Sequence, residues 1–311
     1  MKKVLIPTKL DGIASKILTE NGNYTVVQDA SASIEDLVAA NPDAYALIVR
    51  SERVTAEIID KLPQLKTVVR AGAGYNTIDT KYARTKGVNV MNTPGANANA
   101  VAEEVIALIL ADFRHVVPAD ASVRAGKWEK KSFMGRELTG KTVGIVGLGH
   151  IGRLVAKRLS GFECRIIGYD PMLSKDAAAK AGIELMDIEK VFSEADIVTL
   201  HIPENDSTKK MLNAKLLSLL KEGALVVNCA RAGIVDEDAI RAAKAEKKFD
   251  YVNDVYPKDE AGEKSIADVA DVMMPHLGAS TKEANHTAAR RAAEELIDLD
   301  VNGTSDCIVN R

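Results

Sequence analysis

From the first residues onward, short runs rich in β-branched side chains alternate with amphipathic stretches, and this alternation restricts the chain more than any other feature of it. The runs KVLIP, YTVV, ALIV, TVVR and VNVM are separated by helical periodicity over 13–19, 34–39, 55–62 and 80–86. Strands alternating with helices at this pace predict a parallel sheet covered on both faces. The turn formers NTPGAN at 92–97 break the rhythm, and 98–113 predicts a long apolar helix. The alternation then resumes with TVGIVG, RIIGYD, ADIVTLHIP, GALVVNCA, YVNDVY and ADVMMPH, and an amphipathic helix over 281–300 precedes a short run, CIV, near Val309. With 311 residues, 46% of them hydrophobic, there is material for about two cores.

The pattern predicts a discontinuous first domain, 1–94 with 282–311, and a second inserted at 95–281, the return of the last helix leaving a cleft between them. A net charge of −3 offers no bulk attraction to nucleic acid or to an anionic membrane. Apolar runs fall far short of the roughly 20 residues a bilayer span needs, and the N-terminus lacks a signal-peptide pattern. Cys164, Cys229 and Cys307 are odd in number and without CxxC spacing, which argues against a disulfide framework or structural zinc. These features predict a cytoplasmic protein without a metal centre.

Residues 143–152 read VGIVGLGHIG, a strand running into Gly147-x-Gly149-x-x-Gly152 and then into the helical stretch RLVAKRLSG. The first glycine serves a tight turn, the second lets backbone approach a pyrophosphate, and the third lets helix and strand pack closely. Phosphates then meet a helix N-terminus, where unpaired N–H groups favour negative charge. The next strand ends in Asp170, whose carboxylate would accept from ribose hydroxyls and repel a 2′-phosphate, so the cofactor expected is NAD.

Hydride exchange with a 2-keto acid needs a cation for the carboxylate and a group that moves a proton. Arg231 follows the strand ALVVNCA, at the strand end where open α/β sheets bind ligands, and its guanidinium can grip a carboxylate through two parallel hydrogen bonds. His276 follows DVMMP, and imidazole is the side chain that can both give and take a proton in such a reaction. His115 and His286 read as helical and structural or solvated, His150 belongs to the glycine loop, and His201 either lines the nicotinamide pocket or packs. A carboxylate partner would orient the ring of His276 and stabilise its imidazolium; Asp259 and Glu260 are the candidates.

The strings GKTVGIVGLGHIGR at 140–153, NCARAGIVDE at 228–237, DVYP at 254–257 and PHLGASTKEA at 275–284 resemble the D-2-hydroxyacid dehydrogenases. KWEKKSFMGREL at 127–138 and RAGAGYNTID at 70–79 are similar to the branch of that family that oxidises D-3-phosphoglycerate to 3-phosphohydroxypyruvate in serine biosynthesis. The resemblance runs along essentially the whole chain. It implies an α/β fold of two doubly wound parallel-sheet domains, a Rossmann NAD-binding domain inserted into a flavodoxin-like substrate domain. It implies that Arg231, an acid after DVYP and His276 are catalytic, and that His150, Ile151, Asp170, Ile202, Cys229, Ala230, Asp254 and Gly278 contact NAD. Backbone N–H groups of Gly72 and Ala73, with Asn97 nearby, would meet the substrate carboxylate. Arg50 would hold the phosphate, and Lys130 would reach a neighbouring subunit's site in a homodimer formed through the NAD-binding domains.

The chain departs from the family at three positions. Asp259 stands where the family has Glu, with Glu260 next; Ala232 replaces the usual glycine after the arginine; Ala73 stands where threonine is common. The spacing favours Asp259 over Glu260. The sequence stops soon after the closing helix, so feedback through an added sensing domain is not expected. Two other functions share these features: reduction of glyoxylate, hydroxypyruvate or another 2-keto acid, and an NADH-sensing corepressor or scaffold without turnover.

Overall fold

The computed structural model describes residues Met1–Arg311. The chain begins with β1 (Lys2–Ile6), α1 (Ile13–Asn21), β2 (Tyr24–Gln28), α2 (Ile34–Ala40), β3 (Ala46–Val49), α3 (Ala56–Asp60), β4 (Thr67–Arg70), α4 (Thr80–Thr85) and β5 (Asn89–Asn92). It continues with α5 (Ala98–Phe113), α6 (Val116–Arg124), β6 (Thr142–Val146), α7 (His150–Leu159), β7 (Arg165–Tyr169), α8 (Lys175–Lys180), β8 (Glu184–Leu185), α9 (Ile188–Glu194) and β9 (Ile197–Leu200). The remaining elements are α10 (Ala214–Ser218), β10 (Ala224–Asn228), α11 (Glu237–Glu246), β11 (Phe249–Asn253), β12 (Val272–Met273) and α12 (Lys282–Asn302). No helix is long and apolar enough to cross a membrane.

Two compact units emerge, Met1–Asn97 with Thr281–Arg311 and Ala98–Ser280, the second inserted into the first. In the first unit five parallel strands lie in the order β2-β1-β3-β4-β5, the flavodoxin-like arrangement. Alternate strand residues feed opposite faces: Val4, Ile6 and Ile48 pack with α1 and α12, while Leu5, Leu47 and Val49 pack with α2 and α3. Ala288, Ala289, Ala292 and Ala293 form the buried stripe of α12, small enough to bring the helix close to the sheet. The run CIV does not form a strand. Ile308 makes one antiparallel bridge to Met91, and Val309 N–H donates to Val90 O at 2.8 Å, which covers part of the exposed edge of β5.

In the second unit seven parallel strands lie in the order β12-β11-β10-β9-β6-β7-β8. The order reverses beside β6, whose neighbours are β7 and β9, so this is a doubly wound Rossmann sheet with its switch point at the end of β6. Val143, Ile145, Leu225 and Val227 face the core shared with α5 and α7; Val146, Val198 and Val226 face the core shared with α9, α10 and α11. No α-helix joins β11 to β12; residues 254–271 cross as turns and bends. His115 does not lie inside a helix: at φ 51 it ends α5 and turns the chain into α6.

Candidate active site

The glycine loop lies at the end of β6, between one sheet face covered by α5 and α7 and the other covered by α9. Gly147 has φ 94, and a Cβ there would stand 2.7 Å from His201 O. A Cβ on Gly152 would stand 2.0 Å from Gly147 O, so neither position accepts a side chain. At Gly149 nothing lies within 4 Å of a Cβ, and the loop is open on that side. Six helices, α2, α3, α4, α8, α10 and α12, have N-termini capped by Ser33, Thr55, Asp79, Ser174, Asn213 and Thr281. The N-cap of α7 is Gly149, which has no side chain to do this, and the amides around His150 and Ile151 are left for an anion.

Asp170 follows β7 and is pinned beside the loop: its Oδ2 accepts from Leu148 N–H and its Oδ1 from Met172 N–H, both at 2.8 Å. With Tyr169, Lys175, Met186 and Lys190 it lines an open pocket of about 330 Å³. His201 ends β9. Its Nε2 bonds to Thr199 Oγ1 at 2.9 Å while its Nδ1 is buried without a partner. Burial pushes its pKa down to about 3, so the ring is neutral and carries no proton-transfer duty near pH 7. Ile202 packs beside Gly147, its Cγ2 2.8 Å from the Cβ that Gly147 lacks. An open glycine cradle, an uncapped helix end, a strand-end carboxylate and an orphaned imidazole nitrogen fit a dinucleotide such as NAD.

Arg231 extends from the turn after β10 with φ −149. The turn is tied by buried Asn228, whose Nδ2 donates to Arg231 O at 3.1 Å and whose Oδ1 accepts from Ala230 N–H at 3.0 Å. The guanidinium donates to Ala230 O at 2.6 Å and forms no ion pair, which leaves its charge for an incoming anion. Ala232 opens a short 3-10 turn rather than a left-handed position, so replacing glycine there costs no strain.

His276 follows β12 with φ 56, a conformation that a non-glycine residue keeps only when its surroundings impose it. Its Nδ1 lies 2.7 Å from Asp259 Oδ2, whereas Glu260 approaches Lys258 at 3.7 Å. Asp254, 1% exposed at the end of β11, holds the turn that follows the histidine: its Oδ1 accepts from Leu277 N–H at 2.8 Å and its Oδ2 from Gly278 N–H at 3.2 Å. Cys229 is buried between β10 and this turn, and burial with two nearby carboxyls raises its thiol well above the usual range.

The other predicted residues lie in the first unit or on the surface of the second. Arg50 follows β3, where its own N–H and that of Ser51 donate to Glu52 Oε2 at 2.7 and 3.1 Å. Of the two amides after β4, Gly72 N–H donates to Arg70 O at 2.9 Å, and only the Ala73 amide has no partner in the chain. Asn97 is half-buried just before α5, and Lys130 is exposed in a short 3-10 turn.

Residues 106–278 match the model of the D-isomer specific 2-hydroxyacid dehydrogenase NAD binding domain. The chain belongs to the D-2-hydroxyacid dehydrogenase family. D-3-phosphoglycerate dehydrogenase of Homo sapiens is 41% identical over 98% of this chain, and that of Methanocaldococcus jannaschii 39% identical over 95%. This chain spans 57% of the length of either relative. Among solved structures, NAD+-bound 3-phosphoglycerate dehydrogenase of Entamoeba histolytica superposes with a TM-score of 0.81 at 30% identity, covering 100% of this chain and 99% of that one.

Two residues at this dehydrogenase-family site escaped the sequence reading. Glu204 accepts from Gly233 N–H at 3.2 Å and ties the loop after β9 to the Arg231 turn. Glu104 shares the buried face of α5 with Val101, Val105 and Leu108, within 4.8 Å of Asp254 and Cys229. The periodicity did hold a signal for it: Glu104 and Asp112 are acids on an otherwise apolar helical stripe.

Proposed function

We propose that the protein catalyses the NAD-dependent oxidation of D-3-phosphoglycerate at C2, the step that opens serine biosynthesis. The observation that carries this reading is the 2.7 Å contact of His276 Nδ1 with Asp259, together with an Arg231 guanidinium that has no anionic partner. Because Nδ1 faces a carboxylate, its proton is donated there, and Nε2 is left bare to take the C2 hydroxyl proton. Arg231 grips the substrate carboxylate with two N–H groups and draws charge from the reacting carbon. NAD, when bound, supplies the hydride acceptor. Asp259 stabilises the imidazolium that forms, and in the reverse direction that imidazolium returns the proton. Neutral His201 does not compete for it.

The remaining assignments rest on likeness to the family. Arg50 takes the phosphate, the free amide of Ala73 and the side chain of Asn97 take the carboxylate end, and Lys130 serves a neighbouring subunit. Self-association through the NAD-binding unit draws support from α6 and the segment after it, which expose Val116, Val117, Val123, Trp128 (84%) and Met134 (82%). Light scattering on the purified chain would report a dimer, and a monomer at micromolar concentration would end that assignment.

The deciding assay compares 3-phosphohydroxypyruvate with hydroxypyruvate as oxidants of NADH. A kcat/KM at least about 10-fold higher for the phosphorylated compound is expected from one charge-assisted phosphate contact. Equal values would make the protein a general 2-keto acid reductase, and tight NADH binding without turnover of either would make it a nucleotide sensor.

A further inference from the structure

The acid that α5 buries against the second sheet carries an inference beyond the proton-transfer pair. The carboxyl of Glu104, the carboxyl of Asp254 and the Cys229 sulfur lie within 4.8 Å of one another. Asp254 already accepts one N–H on each oxygen, from Leu277 and Gly278. Glu104 Oε2 is closed off from solvent and meets no N–H or hydroxyl donor. A Cβ on Gly278 would stand 3.0 Å from that same oxygen and 3.5 Å from Asp254 Oδ2, so the turn after His276 packs directly on the pair.

Two carboxylates this close and this dry do not both stay ionised without a cation. The titratable groups that face them are the Cys229 thiol from the end of β10 and, beyond Asp254, His276. From α7, Arg158 turns instead to Glu103, at 3.6 Å. Both Asp254 oxygens act as acceptors, so the one proton of the pair belongs to Glu104. Burial and the neighbouring Asp254 accordingly push the pKa of Glu104 up to about 8.

We propose that Glu104 is a positioning residue for hydride transfer, acting through a hydrogen bond from its carboxyl group to Asp254, whose carboxylate holds the turn that carries His276. The inference rests on the dehydrogenase reading only for the role given to His276. Ionisation of Glu104 removes the donor, sets two carboxylates against each other and loosens the turn that keeps His276 in its left-handed conformation.

The test uses the full chain with Glu104→Gln, which still donates but cannot ionise, and Glu104→Ala, which does neither. Carboxyl 13C NMR without cofactor is expected to find one glutamate titrating near pH 8 in the wild type and missing in Glu104→Gln. Hydrogen exchange is expected to find the Leu277 and Gly278 amides protected in the wild type and in Glu104→Gln, and exposed in Glu104→Ala. In turnover, Glu104→Ala is expected to lower kcat about 10-fold, the cost of one hydrogen bond to a charged group. Glu104→Gln is expected to restore most of it and to abolish a fall in kcat centred near pH 8. The proposal is overturned if no glutamate titrates above pH 6, if the two amides exchange alike in all three proteins, or if Glu104→Gln is as impaired as Glu104→Ala. A wild type that binds NADH but turns over no 2-hydroxy acid would sink the functional reading alone, because the NMR and exchange measurements decide the Glu104 contact without substrate.

Discussion

The two sheets are both parallel and doubly wound, yet their strand ends differ in which polar groups are left without partners. In the first unit most strand-end amides close on the chain: Glu52 takes the amides after β3, Gly72 N–H returns to Arg70 O after β4, and Asn92 Nδ2, at the end of β5, donates to Ala73 O, while the Ala73 amide and the buried Thr93 Oγ1 stay without partners. In the second, the Arg231 guanidinium has no ion pair, His201 Nδ1 is buried and orphaned, α7 lacks a side-chain cap, and Glu104 crowds Asp254. The orphaned His201 nitrogen and the crowded Glu104–Asp254 pair cost folding free energy that paired groups would not. The shared framework sets where ligands approach, and the groups left unsatisfied there set which chemistry follows.

The comparison breaks first, and by the largest margin, at the two side chains proposed to act on the substrate. Arg231→Ala and His276→Ala are each expected to lower kcat/KM by about 10²–10⁴-fold. Arg50→Ala, in the first unit, is expected to raise KM for the phosphorylated substrate by roughly 10–100-fold with kcat little changed. Steady-state kinetics following NADH absorbance measures both, and an Arg50 variant that loses kcat like the other two would erase the distinction drawn between the units.

A smaller effect separates the two neighbouring acids. Asp259→Asn is expected to reduce kcat by about 10–100-fold through loss of the anion that orients His276. Glu260→Gln is expected to leave kcat within about 2-fold, as a solvated surface acid should. The reverse ranking would show that the loop 254–271 rearranges when substrate binds.

A stability experiment sharpens the contrast further. Glu104 keeps in the folded state, up to about pH 8, a proton that an unfolded chain releases near its ordinary value of 4.5. Wild-type stability attributable to this group therefore falls as pH rises between those values and levels off above 8. Glu104→Gln does not titrate, so its Tm is expected to exceed that of the wild type at pH 8 and the gain to vanish at pH 4.5, at roughly 2–4 °C for each kcal/mol. A thermal melt at the two pH values checks the sign. The smallest effect belongs to the first unit: Thr281→Ala removes the cap of α12 and is expected to cost about 1 kcal/mol with kcat unchanged.

Much of this architecture could be read from the chain as written because its causes are local. Alternation of β-branched runs with amphipathic stretches records which side chains must face inward, and residues 98–113 carry their helical period without reference to anything else. Gly147 and Gly152 were legible for the same reason, since the clash each avoids lies within the strand, turn and helix that they join or the adjacent β9. His115 was misjudged because a helical period runs on both sides of it and only the backbone reveals the left-handed break.

The sequence by itself determined a parallel, doubly wound chain with one unit inserted in another and a dinucleotide cradle at a strand end, because patterning and steric demand act between near neighbours. The spacing already favoured Asp259 over Glu260 as the partner of His276, whereas folding alone decided that His201 is neutral and that Glu104 faces Asp254. Those outcomes depend on distance and solvent exclusion between residues far apart along the chain, and the spacing of letters does not record either one.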